Sequence, residues 1–148
     1  MSFVSRWVEV REFTVTPGDL SAGGGVRAEA IDRWLAEARA AYLEHCVVLR
    51  DLRERSGLAL RAHFDQPPAS DRFGTPTSII IGVGATEIHP RSFTMAYRVR
   101  AIDADGDTAI NVTCAVSLED PATGEARELG NDIRDELIAL EHAASHIV

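Results

Sequence analysis

Residues 22–39 have the sequence AGGGVRAEAIDRWLAEAR, in which three glycines lead directly into a helical repeat. Ile31, Trp34 and Ala38 recur at intervals of three and four residues, the spacing that places side chains on one face of a helix. The pattern predicts a helix of about five turns from Val26 onward. Its many alanines favour the helix and keep it slim, so it can lie closely against a curved sheet.

The residues before this helix predict a strand followed by a loop. Residues 6–15 are rich in strand-forming side chains, and a change of apolar phase between Val10 and Phe13 predicts an inserted bulge residue. Residues 17–25 combine a Pro-Gly pair, Asp19 and the three glycines. This segment is predicted to be a loop whose backbone can come close to another molecule.

Downstream of the helix the apolar period changes to two. Residues 79–85, 93–101 and 110–118 alternate strictly, and the turn sequences DADGD (103–107) and DPATGE (120–125) predict antiparallel pairing as a meander. Residues 58–64 predict one further strand, after helical character that ends at Gly57. A short amphipathic C-terminal helix is predicted from the spacing of Ile133, Leu137, Leu140, Ala144 and Ile147.

This order of elements predicts an α+β fold. A run of antiparallel strands with one long helix after the first strand can bury that helix only by covering it with the sheet. We therefore expect about five strands wrapped around the helix that starts near Val26. A chain of 148 residues fits a single domain, predicted here over residues 1–148.

Composition restricts the class of partner. The net charge is −8, which opposes binding to nucleic acid or to an anionic membrane surface. The apolar runs are too short to span a bilayer, and the N-terminus lacks the features of a signal peptide, so the expected location is the cytoplasm. Cys46 and Cys114 lack metal-site or redox spacing and are predicted to be buried, inert thiols.

Three segments carry a resemblance to a known family: the glycine loop and helix start at 23–26 (GGGV), residues 33–39 (RWLAEAR) and residues 92–99 (SFTMAYRV). Together with the order of elements they resemble the hotdog-fold thioesterases of the 4-hydroxybenzoyl-CoA thioesterase-like superfamily. The resemblance implies hydrolysis of an acyl-CoA or acyl-carrier thioester without a metal or redox cofactor. It also implies a homo-oligomer, dimer or tetramer, with acyl sites at the subunit boundary.

The family polarises the thioester carbonyl with a backbone N–H at the start of the long helix, which the resemblance places at Gly24, Gly25 and Val26. Unpaired N–H donors and the helix dipole both favour a developing oxyanion there. Glycine also allows the carbonyl to approach without a Cβ in the way. The alternative is that the glycines only form a flexible turn into the helix.

Thioester hydrolysis also needs a carboxylate, and two family patterns place it differently. A D-x-D-x-x-G-H-V pattern aligned on Gly24 and Val26 places its two acids at Asp19 and Ser21, so the second, usually catalytic, acid is replaced by serine. An H-G-G-V-x-x-x-x-x-D pattern places its acid at Asp32, with Gly23 in place of the histidine. Asp32 and Asp19 are nearly equal candidates for the catalytic carboxylate, and Glu29 is the third. The competing interpretations are structural: Asp19 would be a turn residue or a helix cap, and Asp32 and Glu29 would lie on a solvated helix face.

A phosphopantetheine arm needs basic groups for its phosphates, and Arg27, Arg91 and Arg98 are the candidates by position. The departures from the family patterns at Ser21 and Gly23 support a second hypothesis. In it the chain is a hotdog module without catalysis that binds an acyl-CoA or serves in assembly or regulation.

Overall fold

The computed structural model describes residues 7–66 and 73–146. In chain order these residues form β1 (Glu9–Thr14), α1 (Ala28–Leu43), α2 (Val47–Ser56), β2 (Ala59–His63), β3 (Ser78–Ile88), β4 (Phe93–Asp103), β5 (Gly106–Glu119) and α3 (Asn131–His146). The predicted α+β class is therefore confirmed. Helix α1 begins at Ala28, two residues later than predicted, because Arg27 is extended (φ −72°, ψ 143°) and its N–H donates to the Asp19 carbonyl at 2.8 Å.

The five strands form one antiparallel sheet in the order β1-β3-β4-β5-β2. Strands β3, β4 and β5 follow one another as the predicted meander, and β1 and β2 occupy the two edges. Because consecutive strands β1 and β2 lie at opposite edges, the chain between them has to cross the sheet. That crossing contains α1, and the sheet curls around this helix.

The core lies between the sheet and α1. Phe93, Met95, Tyr97 and Val99 alternate along β4 with more exposed residues, and each is at most 1% exposed. The apolar face of α1 covers them with Ile31, Trp34, Leu35, Ala38 and Tyr42. The rings of Trp34 and Phe13 of β1 are 6.1 Å apart. Burying each large apolar side chain contributes roughly 1.5–3 kcal/mol before the entropic cost, so this face is the main support of α1.

The predicted C-terminal helix is present as α3 (Asn131–His146), but it is not short. It has 16 residues, as many as α1. The predicted position Ile147 lies outside the described residues. The Glu136 carboxylate accepts hydrogen bonds from the N–H groups of Val48 and Leu49, in the first turn of α2. Tyr42 donates to Glu141 at 2.6 Å, so α3 is attached to both preceding helices.

Glycine ends α2 as predicted, but the bulge is in a different strand from the one predicted. Gly57 follows α2 with φ +70°, the left-handed conformation that suits glycine at a helix end. Strand β1 pairs with β3 in unbroken register, so the predicted bulge between Val10 and Phe13 is wrong. The register shift lies in β3 between Ala85 and Glu87. Val10 is 53% exposed and lies on the face of β1 opposite Phe13, whose ring is near Trp34, so the change of apolar phase reflects one apolar side chain on the outer face of the sheet.

No helix within the described ranges is long and apolar enough to cross a membrane.

Candidate functional site at the start of helix α1

Backbone hydrogen bonds hold the loop before α1 in a defined shape. Ser21 N–H donates to the Gly25 carbonyl at 2.7 Å, and Gly24 N–H donates back to the Ser21 carbonyl at 2.9 Å. Gly24 has φ +91°, which side chains rarely adopt, and a Cβ there would lie 3.3 Å from Thr75. Gly24 is thus required by the turn itself.

Gly25 differs from Gly24 in the hydrogen bonding of its N–H and in the space around its Cα. Its N–H donates to no other described residue, whereas the Gly24 N–H is already used in the turn. A Cβ added at Gly25 would meet only the Ser21 Oγ, at an ordinary 3.9 Å. Val26, the next residue, is 4% exposed and anchors the loop to the core. Of the two glycines predicted to polarise a carbonyl, Gly25 is the one with a free donor just before α1.

Asp19 is buried at the end of a 3₁₀ turn (Pro17–Asp19), with 7% of its side chain exposed. Its Oδ2 accepts hydrogen bonds from Thr16 N–H at 2.9 Å and from Thr16 Oγ1 at 3.0 Å. Its Oδ1 accepts one from Arg33 of α1 at 2.5 Å. The Thr16 backbone N–H, followed by Arg33, holds the pKa of the Asp19 carboxyl below its usual range. Asp19 therefore joins the loop to α1, and both of its oxygens are engaged.

Asp32 and Glu29 lie on the exposed side of α1. Neither forms a hydrogen bond or an ion pair with the part of the chain that the structure describes. Asp32 is four residues after the first residue of α1, roughly 6 Å along the helix axis. Its carboxylate is accessible to a molecule bound at the helix start or to another subunit.

The three predicted phosphate anchors lie in different places. Arg27 belongs to the loop, where its Nε donates to the Leu20 carbonyl at 2.9 Å. Arg91 follows the end of β3 and donates to the Ala126 carbonyl at 2.9 Å. The glycine loop contacts Thr75, just before the other end of that 11-residue strand, so roughly 30 Å of sheet separates Arg91 from it. Arg98 is exposed between the buried Tyr97 and Val99, and it therefore points away from α1. The fold brings only Arg27 to the glycine loop of the same chain.

The sequence predictions missed a second cationic feature, a cleft of about 360 Å³ between α1, α2 and β2. Arg39 of α1 and Arg50 and Arg53 of α2 line it. The spacing of Arg50 and Arg53 by three residues was a visible signal for a shared helix face. Their proximity to Arg39 depends on how the two helices pack, which periodicity does not reveal.

The cysteines and the metal-ligating residue types form no further centre. Cys46 and Cys114 are both buried, and burial raises the pKa of the Cys46 thiol to about 12. The Cys114 Sγ lies 3.3 Å from the Tyr97 hydroxyl, and burial also raises the pKa of this thiol. Both are consequently protonated near neutral pH. Within the described residues, no three of the His, Cys, Asp and Glu side chains are arranged to hold a metal ion.

Several solved structures share this fold. A thioesterase from Thermus thermophilus, complexed with coenzyme A and zinc, matches with a TM-score of 0.65 and 18% identity over 94% of this chain and 98% of that one. A 1,4-dihydroxy-2-naphthoyl-CoA thioesterase from Synechocystis matches with a TM-score of 0.62 and 14% identity over 90% and 98%. A mutant 4-hydroxybenzoyl-CoA thioesterase complexed with 4-hydroxybenzoyl-CoA matches with a TM-score of 0.57 and 19% identity over 86% and 96%. No protein-family model matches the chain, and a search of curated proteins finds no match either.

The chain therefore has the hotdog fold, as the sequence resemblance predicted. Each of the three matched structures is a thioesterase, and the enzyme after which the predicted superfamily is named is among them.

Proposed function

We propose that residues 1–148 form one hotdog domain that hydrolyses an acyl-CoA or acyl-carrier thioester. The observation that carries this proposal is the Gly25 N–H, which donates to no other described residue and lies three residues before the first residue of α1. A thioester oxygen next to Gly25 would receive this hydrogen bond and the favourable end of the α1 dipole, and both strengthen as negative charge develops. The printed descriptions of the matched thioesterases, which name coenzyme A and CoA thioesters, support the substrate class.

Asp32 is our preferred carboxylate, acting as nucleophile or as the base that activates water. Asp19 is a weaker candidate because its oxygens already accept three hydrogen bonds, and freeing them would break the link between the loop and α1. Asp32 has no such commitments among the described residues and is exposed on the helix that begins at the proposed oxyanion site. Glu29, in the first turn of α1, remains the third candidate.

We further propose that the protein is at least a homodimer with shared acyl sites. Among the described residues, β1 and β2 each have a strand partner on one side only, and pairing across a two-fold axis would cover the other side. Arg27 would bind the phosphates of a substrate at the glycine loop of its own chain. Arg91 and Arg98 would do so only from a neighbouring subunit, because they lie far from the glycine loop or face away from α1.

The decisive experiment is a thioesterase assay on short-chain, long-chain and aromatic acyl-CoAs, with thiol release as the signal. We expect release from at least one class and its loss in Gly25→Val, where the added side chain blocks the carbonyl. The folded state of the variant is checked by circular dichroism. Loss of folding would mean that Gly25 is structural and would remove the main support for the proposal.

The second candidate is a non-catalytic hotdog module that binds an acyl-CoA or serves in assembly. It is favoured by Ser21 and Gly23, which replace family acid and histidine positions, and by the engaged carboxylate of Asp19. Such a module would bind acyl-CoA saturably but would release no thiol in the same assay.

A further inference from the structure

The cleft between α1, α2 and β2 concentrates positive charge on a protein whose net charge is −8. Arg39, Arg50 and Arg53 line it, together with a single carboxylate, Glu44. None of the three arginines forms an ion pair with a carboxylate in the described parts of the chain, although acidic residues outnumber basic ones by 23 to 15. Like charges that line one cleft repel one another, and a bound anion would relieve that repulsion.

Arg39 is held in position at this cleft. Its Nη1 donates to the Tyr97 hydroxyl at 3.0 Å, and Tyr97 is fully buried in the sheet. A guanidinium has five N–H donors, so four remain after this bond. A fixed guanidinium loses little entropy on binding, and its planar geometry suits carboxylate and phosphate oxygens.

The rest of the lining is apolar. Leu43, Leu49 and Leu60 contribute from α1, α2 and β2, and two alanines of α1 complete that part of the surface. The volume of about 360 Å³ is near the lower end of small-molecule sites, which span roughly 300–1,000 Å³. The site thus combines cationic groups with a small apolar surface.

We infer that this cleft binds a small anionic amphiphile, with its carboxylate or phosphate head on the three arginines and its aliphatic part on the leucines. The inference does not depend on the proposed thioesterase activity, because the cleft shares no residue with the glycine loop.

The test is backbone amide NMR on the full chain titrated with octanoate, octyl phosphate, 1-octanol and inorganic phosphate. We expect octanoate and octyl phosphate to shift the amides of Ala36, Ala40 and Leu49. The neutral alcohol and inorganic phosphate should bind at least about tenfold more weakly, since each has only one of the two required parts. Whichever amphiphile binds more tightly identifies the preferred head group.

Two variants of α2 provide the matched comparison. Arg50→Gln combined with Arg53→Gln should weaken octanoate binding about tenfold, whereas Arg55→Gln, outside the cleft on the same helix, should leave it unchanged. The inference is overturned if 1-octanol binds as well as octanoate or if the double variant binds normally. It is also overturned if wild-type shifts are confined to the region from Gly25 to Asp32, which would indicate product binding at the proposed thioesterase site. A double variant that changes sedimentation instead of octanoate binding would assign the arginines to a subunit contact.

Discussion

Asparagine at position 19 should reduce stability, whereas asparagine at position 32 should reduce catalysis. In Asp19→Asn the amide oxygen can replace Oδ2 and keep both bonds from Thr16, but the amide NH₂ then faces the Arg33 guanidinium, donor against donor. One charge-assisted hydrogen bond is lost, worth about 1.5–3 kcal/mol. The Arg33 side chain is 52% exposed and can turn to water, so we expect a loss at the lower end, about 1.5 kcal/mol. For a chain of this size that corresponds to roughly 3–6 °C in Tm.

The stability loss in Asp19→Asn should depend on pH in a defined direction. The folded state lowers the pKa of Asp19 below its ordinary value of 3.8. The ionised carboxylate therefore contributes its full stabilisation above pH 3.8, and the contribution is lost as the pH falls through the lower folded-state pKa. The difference in unfolding free energy between wild type and Asp19→Asn should be complete at neutral pH and should decrease as the pH falls below 3.8.

Urea unfolding at several pH values measures the stability difference, and thiol release from acyl-CoA measures catalysis. Asp32→Asn is the matched control: its side chain is exposed and without a described partner, so stability should change by less than about 0.5 kcal/mol. Its chemical step should slow by roughly two or more orders of magnitude. The reasoning is refuted if Asp19→Asn keeps its stability and loses activity while Asp32→Asn remains active. Wild-type rates in both variants would shift the role to Glu29 or support the binding module.

Other contacts lead to three further predictions. Gly25→Val should fold normally and lose most thiol release. Gly24→Ala should lower the free energy of unfolding by about 1–2 kcal/mol, measured in urea, because a backbone φ of +91° strains any side chain. Equal stability of the two variants would contradict this distinction. Glu136→Gln should lower the unfolding free energy by about 0.5–1 kcal/mol, since it removes a charged acceptor at the start of α2, and Asp135→Asn on the exposed side of α3 should not. Sedimentation at micromolar concentration should show at least a dimer, and a monomer with full thioesterase activity would refute the shared site.

Much of the fold was predictable because local patterns indicate which face of an element is buried. The strict alternation in β3, β4 and β5 predicted three strands, and the turn sequence between β4 and β5 predicted their pairing. The three- and four-residue spacing in α1 predicted the helix that the sheet covers. The bulge in β1 was predicted wrongly, because Val10 is an apolar residue on the exposed face of the strand and so imitates a phase change.

The sequence alone determined that glycines precede a helix, that acids stand near them at Asp19 and Asp32, and that the chain resembles hotdog thioesterases. Only the tertiary structure decided which of these groups are free. The Gly24 N–H is used in a turn while the Gly25 N–H is not, and Asp19 is engaged by Arg33, 14 residues away. The tertiary structure also placed Arg39 beside Arg50 and Arg53, and it separated Arg91 from the glycine loop along β3. The physical reason is that periodicity records the burial of each residue one element at a time. Hydrogen-bond partners and charge clusters depend on how separate elements pack together.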